Sequence, residues 1–334
     1  MNDMSPAKPA PGATTGPLVR VEDLKVTFVS REESVSAVNG INFELKRGEV
    51  MCVIGESGSG KSVMMRALMR LHPPKRTVIE GTMEVDGHDI QSVPERQMRK
   101  LRGSTVSMIF QEPMTALDPL YTVGEQIAET VRLHEGIPQE AAMKRALELL
   151  ELVRVPSPER RLKAYPHELS GGLRQRAMIA VALSCNPSLL LADEPTTALD
   201  ASVQIQVLVL LRRLQKELGM SVIFVTHDLG VAAQIADKVA VMYAGRLVEY
   251  GSVRDVLLDP KHHYTKGMLA STVAEQEKGK PLGAIPGTPP DLRALPSGCS
   301  FAPRCRAAKA ICRSVLPEEF DTGGGHRVRC HFPL

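Results

Sequence analysis

At 334 residues, 43% hydrophobic and 24% charged, the chain has the composition of a folded protein with a sizeable core, and the length suggests about two domains. A net charge of only +3, with no tryptophan and few aromatics, argues against nucleic-acid binding, which requires a strong basic patch or stacking rings. No apolar run approaches the roughly 18 residues needed to span a bilayer. Residues 1–17 lack the apolar core of a secretory signal and read as a flexible tail, so the chain is expected in the cytoplasm, where thiols stay reduced.

Val19, Val21, Leu24, Val26 and Phe28 predict a first strand, and 35–45 a second, with Ile41, Phe43 and Leu45 alternating. Residues 50–54 are apolar throughout and read as a buried strand. The strand runs into Gly55-Glu56-Ser57-Gly58-Ser59-Gly60-Lys61-Ser62, which fits G-x-x-x-x-G-K-[ST], the phosphate-cradling P-loop. Val, Met, Ala and Leu then recur at helical intervals over 63–71. The chemistry needs this order: a strand delivers the loop, and a helix starting right after it aims free N–H groups and its dipole at the phosphates. Gly55 and Gly60 allow the tight turn, Lys61 suits the β- and γ-phosphates, and the Ser62 hydroxyl suits Mg²⁺.

Further strands are predicted at 82–85 and 106–110, and a helical block over 113–166, strongest at 141–153. A strand at 188–192 precedes a helix over 201–218, where Val203, Val207, Leu210, Leu214 and Leu218 form one stripe closed by Gly219. Strands follow at 221–226 and 239–243. Strands alternating with helices imply a mostly parallel α/β sheet interrupted by a helical insertion. Pro281, Pro286, Pro289, Pro290 and Pro296 break regular structure, so 256–334 reads as a separate extension after a body over 18–255.

Two constellations follow the P-loop. The apolar run 189–192 ends in Asp193 and Glu194, which places one carboxylate for Mg²⁺ and a second as general base toward the attacking water. Ser170, Gly171 and Gly172 open a second apolar helix, and its start is again an anion site. Cys52 and Cys185 lie in apolar runs and read as buried small hydrophobes. Cys299, Cys305, Cys312 and Cys330 are spaced C-x5-C-x6-C-x17-C. Disulfides are disfavoured in a reducing compartment, and spacing leaves zinc and an iron–sulfur cluster equally open.

The order GESGSGKS, Gln111, LSGGLRQR, LLLADEP, Ala198-Leu199-Asp200 and His227 resembles the ATP-binding subunits of ABC transporters over about residues 18–255. Leu173 stands where that family usually has Gln or Met. The resemblance implies a P-loop NTPase fold: a RecA-like α/β core, an antiparallel β subdomain and a helical insertion at about 113–166. It implies that Gln111 reaches Mg²⁺ and the water, that His227 contacts the γ-phosphate and that Phe28 stacks on the adenine. Two such domains pair head to tail, so Ser170, Gly171, Gly172 and Gln175 would serve the partner's ATP, with Asp200 in the loop joining the sites.

Residues 257–334, with Gly298-Cys299-Ser300-Phe301-Ala302-Pro303-Arg304-Cys305 and Cys330-His331, are similar to the C-terminal region of oligopeptide/dipeptide importer ATPases, some of which carry a [4Fe-4S] cluster there. The resemblance implies such a cluster on the four cysteines, structural rather than redox-active, with zinc as the alternative. It further implies ATP and Mg²⁺ as cofactors, two permease subunits, a second ATP-binding subunit and an extracytoplasmic peptide-binding protein as partners, and a place on the cytoplasmic face of the membrane. The segment 111–126 is the expected permease contact. Cargo stays open among dipeptides, longer peptides, nickel complexes and glutathione. The rival reading is a soluble ABC ATPase of DNA repair or translation, which would carry two cassettes or a long coiled coil.

Overall fold

The computed structural model describes residues 16–31, 33–112, 116–197, 199–271 and 285–334. The expected tail over 1–15, Pro113, Ala198 and Pro281 lie outside the described residues.

The body is built on strands β3 (Val50–Ile54), β7 (Leu189–Asp193), β8 (Ser221–Thr226) and β9 (Lys238–Tyr243), none longer than six residues. With β6 (Val106–Ile109) they pair in parallel, in the order β9-β3-β8-β7-β6. Their sequences are mostly apolar on both faces because both faces are buried, with polar residues mainly at the strand ends. Within β3, Met51 and Val53 face one core while Val50, Cys52 and Ile54 face the other. Leu189 and Leu191 oppose Leu190 and Ala192 in the same way.

One face meets a second, antiparallel sheet, ordered β2-β1-β4-β5, made of β1 (Val19–Val29), β2 (Ser34–Leu45), β4 (Thr77–Val85) and β5 (His88–Asp89). The three-residue step from Val21 to Leu24 in β1 is a register shift, and Asp23 sits at φ 45. Helices α1 (Lys61–Leu68) and α2 (Glu95–Ser104, broken at Arg102 and Gly103) share this core through Met64, Met65, Leu68, Met98 and Leu101.

The other face is covered by α3 (Val123–Glu135), α4 (Gln139–Leu152), α6 (Gly171–Leu183), α7 (Ala201–Leu218) and α8 (Leu229–Ile235). A short α5 (Pro158–Leu162) lies between α4 and α6. Over 123–162 the expected helical block holds α3, α4 and α5, and α3 opens on a reciprocal cap between Thr122 and Glu125. Boundaries moved by up to five residues: β4 begins at Thr77 rather than 82, and α1 stops at Leu68 rather than 71. The strand ending in Gln111 closes at Ile109, which leaves Phe110 40% exposed.

Beyond 245 the chain returns to the body. Strand β10 (Arg246–Ser252) runs antiparallel to β9, and β12 (Arg327–Val328) with β11 (Phe320–Asp321) extends the same sheet to eight strands. Helices α9 (Val253–Leu258), α10 (His263–Ala270) and α11 (Ala310–Ser314) complete the segment. Phe301 packs on Tyr243 and Tyr264 with ring centroids 5.4 Å away in each case. His326 Nε2 donates to the buried Glu249 carboxylate at 2.7 Å, pinning the C-terminal strand pair to β10.

Leu191 is fully buried in the central sheet. Leu191→Ala is expected to cost about 2–5 kcal/mol of stability, measured by chemical denaturation; a loss under about 1 kcal/mol would show that this face is not close-packed.

Candidate functional site

The P-loop leaves β3 through Gly55 and enters α1 at Gly60, whose φ is 100. A Cβ at Gly60 would stand 2.4 Å from the Ala37 carbonyl oxygen, so no other residue fits without moving β2. Lys61 is buried, and its ammonium donates to the carbonyls of Gly55 at 2.7 Å and Glu56 at 2.9 Å. Burial pulls its pKa down from the ordinary lysine range, opposed by the charges of Glu194, Asp193 and Glu56. The third ammonium N–H is left for a ligand. The Ser62 hydroxyl donates to Asp193 Oδ1 at 2.8 Å.

Two observations fit this cradle to a magnesium–triphosphate. The Ser59 hydroxyl is buried with no hydrogen-bond partner. Asp193, at the buried end of β7, has its pKa raised mainly by desolvation, and a cation at the Ser62–Asp193 pair would relieve that cost.

Glu194 follows with φ 44, a left-handed conformation unusual for a residue with a Cβ. Its backbone N–H donates to the Val225 carbonyl at 3.1 Å, fixing the turn to β8. Three polar groups surround one carboxylate oxygen. Gln111 Nε2 lies 3.3 Å from Glu194 Oε2, Thr197 Oγ1 3.0 Å and His227 Nδ1 3.5 Å. The three side chains come from the ends of β6, β7 and β8, neighbours in the sheet. A half-buried carboxylate so held can take a proton from water. Gln111, Glu194 and His227, separated in sequence, are brought together; Thr197 was not singled out from sequence, although a hydroxyl three residues past an acid is an ordinary local donor.

Ser170 caps α6 from an exposed position, with no side-chain hydrogen bond to the helix. Gly171 and Gly172 sit beside Leu199 and Val203: Cβ atoms there would lie 3.6 Å and 2.7 Å from them. No hydrogen bond among the described residues joins this helix start to residues 55–62. Gln175 does not share that surface. It is 1% exposed and its amide nitrogen lacks a partner, because its position on α6 turns inward. The Asp200 carboxylate is engaged within its own chain, accepting from Val203 N–H at 3.0 Å and Ser202 Oγ at 2.7 Å as the cap of α7. Ser57 and Gly58 are exposed on the loop. Phe28 is half-buried, edge-on to His72 at 5.2 Å, and lines an open cleft with Val35 and Thr77.

Cys299, Cys305, Cys312 and Cys330 line one small cavity of about 20 Å³, together with His262, His263 and His331. Burial raises the Cys299 and Cys305 thiols and pushes Cys330 up to about 11. Among the described residues, no three His, Cys, Asp or Glu side chains are arranged to hold a single metal ion.

A parallel sheet whose strand ends carry a P-loop, two carboxylates, a glutamine and a histidine defines a P-loop nucleotide hydrolase. Residues 38–197 match the ABC transporter family and 248–312 the oligopeptide/dipeptide transporter C-terminal region. The chain is 49% identical over 314 residues to the oligopeptide transport ATP-binding protein OppD of Bacillus subtilis, covering 93% of this chain and 88% of that one. It is 46% identical to the dipeptide transport ATP-binding protein DppD of the same organism, with 94% of each covered. Among solved structures, the ATP-binding cassette MJ0796, dimeric with ADP and Pi, superposes with a TM-score of 0.63 at 32% identity, over 71% of this chain and 99% of that one. The chain belongs to the ABC transporter family, as an ATP-binding subunit of its oligopeptide/dipeptide branch. The reading as a soluble repair or translation ATPase is set aside by the match over 248–312.

His262 is buried against the cysteine cavity, and its Nδ1 accepts from Tyr264 N–H at 3.0 Å. Burial pushes its pKa down from 6.5 to about 3. The unfolded chain therefore binds a proton near neutrality that the folded chain refuses. The stability this histidine supplies is present above pH 6.5 and is lost as pH falls toward 3, about 2 kcal/mol of it by pH 5. Between pH 7 and pH 5 the wild type should lose more thermal stability than His262→Asn, which keeps a cap acceptor; equal losses would clear His262 of the effect.

Proposed function

We propose that this chain hydrolyses ATP at the ends of β3, β6, β7 and β8 to energise import of di- or oligopeptides. The observation that carries the reading is the convergence of Gln111, Thr197 and His227 on the Glu194 carboxylate beside a P-loop lysine. In this reading, backbone amides over 55–62 and Lys61 grip the triphosphate, and Ser62 with Asp193 holds Mg²⁺. The magnesium, when bound, neutralises phosphate charge. Glu194 takes the proton of the attacking water as the bond to the γ-phosphorus forms and the bond to ADP breaks. Gln111 and His227 orient water and γ-phosphate, and Phe28 supports the adenine.

Ser170, Gly171 and Gly172 act in trans. Their exposure, and the lack of a hydrogen bond to their own chain's P-loop, support a role over a partner's nucleotide. Asp200 contributes there by shaping the start of α7 rather than by direct contact. Gln175, being buried, is assigned to packing. Peptide cargo is supported by the relatives' printed roles in oligopeptide and dipeptide transport. That membership implies two permeases, a second ATP-binding subunit and an external binding protein as partners. No helix among the described residues is long and apolar enough to cross a membrane, in keeping with a subunit held at the cytoplasmic face through permeases. Exposed Phe110, next to Gln111 in sequence, and exposed Leu120 and Tyr121, within 111–126, suit that contact.

The body over 18–255 carries the nucleotide site, and 256–334 carries a cluster site in the same reading. The four thiols line one cavity, which supports a group shared among them, a [4Fe-4S] cluster with zinc as the alternative. Coordination would remove the thiol protons that burial now retains. Its role is structural: it staples a segment with few strands of its own.

Glu194→Gln in the assembled transporter should keep ATP affinity while turnover falls about 100-fold or more; wild-type hydrolysis would remove Glu194 from the base role. Anaerobically purified protein should contain iron and acid-labile sulfide in equal amounts, near four of each per chain. A colourless, zinc-containing protein would reject the cluster.

A further inference from the structure

Glu56 places a carboxylate in the second position of a loop that must attract a triphosphate. The structure deals with it from the far end of the chain. Arg304 grips both carboxylate oxygens, Nη1 to Oε2 at 2.6 Å and Nη2 to Oε1 at 2.9 Å. The Glu56 N–H donates to the Tyr264 hydroxyl at 2.9 Å, and its carbonyl accepts from Lys61 at 2.9 Å. Every polar group of this residue is therefore held, two of the three by the C-terminal segment.

Arg304 is itself fixed. Its side chain is 5% exposed, Nε donates to the Pro286 carbonyl at 2.8 Å, and Nη1 lies 3.3 Å from the Tyr243 hydroxyl. Tyr243 ends β9, the strand paired with β3 that delivers the loop. A planar guanidinium held on several sides meets a carboxylate with little freedom left to lose.

We propose that Arg304, with Tyr264, is a positioning residue of the ATPase site: it fixes the Glu56 peptide so that Lys61 and the loop amides keep their phosphate-binding geometry, and it cancels a negative charge that would repel the triphosphate. This rests on the nucleotide reading above. The loop grips phosphate in ground and transition states alike, so losing the brace changes binding more than the chemical step.

The test measures Mg-ATP binding by the full chain, and KM and kcat in the assembled transporter. Arg304→Ala should raise KM and the dissociation constant about tenfold, some 1.4 kcal/mol, with kcat within about twofold. Glu56→Gln added to Arg304→Ala should recover much of that loss by deleting the exposed charge, and Arg304→Lys should fall between. A merely structural arginine would lower thermal stability without the KM change and without rescue by Glu56→Gln; that result, or an unchanged KM, overturns the proposal. Should Arg304→Ala not fold, Arg304→Lys and Tyr264→Phe serve: raised KM in both supports the brace, wild-type KM in both rejects it. Lys61→Ala separates the two readings. If it binds ATP like wild type, the nucleotide assignment itself fails; if it loses ATP while the Arg304 variants do not, only the brace fails.

Discussion

A phosphate-binding loop must aim several backbone amides at one point, and backbone in that state makes few bonds to itself. Its shape has to be imposed from outside. Here β3 imposes it from behind, because the strand is buried on both faces and hydrogen-bonded to β8 and β9 along its length. The start of α1 fixes the other end, with Gly60 wedged against the Ala37 carbonyl of β2. The middle is held by Glu56, tied to Tyr264 and Arg304. The two sheets and the C-terminal segment thus share one task, and the nucleotide site is where their constraints meet.

The electrostatics follow from that geometry. Two carboxylates, Asp193 and Glu194, stand near a lysine that burial weakens as a cation. Asp193 is desolvated at the end of an apolar strand, which raises its pKa. Two carboxylates beside one lysine leave room for further positive charge, and a divalent cation supplies it. Glu194 differs because polar side chains surround it and its backbone turns it out of the sheet.

Much of this was legible in the sequence where local chemistry dictates local structure. The P-loop, the paired acids and most of the α7 stripe follow from short spacing rules, although Leu218 at its end is 38% exposed, and the continuous apolar run 50–54 is a strand buried on two faces. Even the irregular step in the first strand had a structural counterpart in the register shift at Val21–Leu24. What was not legible depends on distant partners. Helix α2 offers only Met98 and Leu101 to the core among many charges, too thin a stripe to predict. Gln175 sits one helical turn past exposed residues yet points inward, which its neighbours in sequence do not reveal. The proline-rich segment after 256 reads as a separate extension, and its contacts with the body come from single residues far along the chain: Phe301 on Tyr243, His326 on Glu249, Arg304 on the P-loop.

The partners in the Arg304–Glu56 pair are 248 positions apart. A ribosome makes the glycine-rich loop long before its arginine. During synthesis the cradle exists for most of its early life with an unneutralised acid in it and no clamp on its second residue. The subunit therefore acquires its finished grip on nucleotide only when the segment around Arg304 has emerged and folded back, so a nascent chain, or one clipped before it, would not spend ATP as the whole one does.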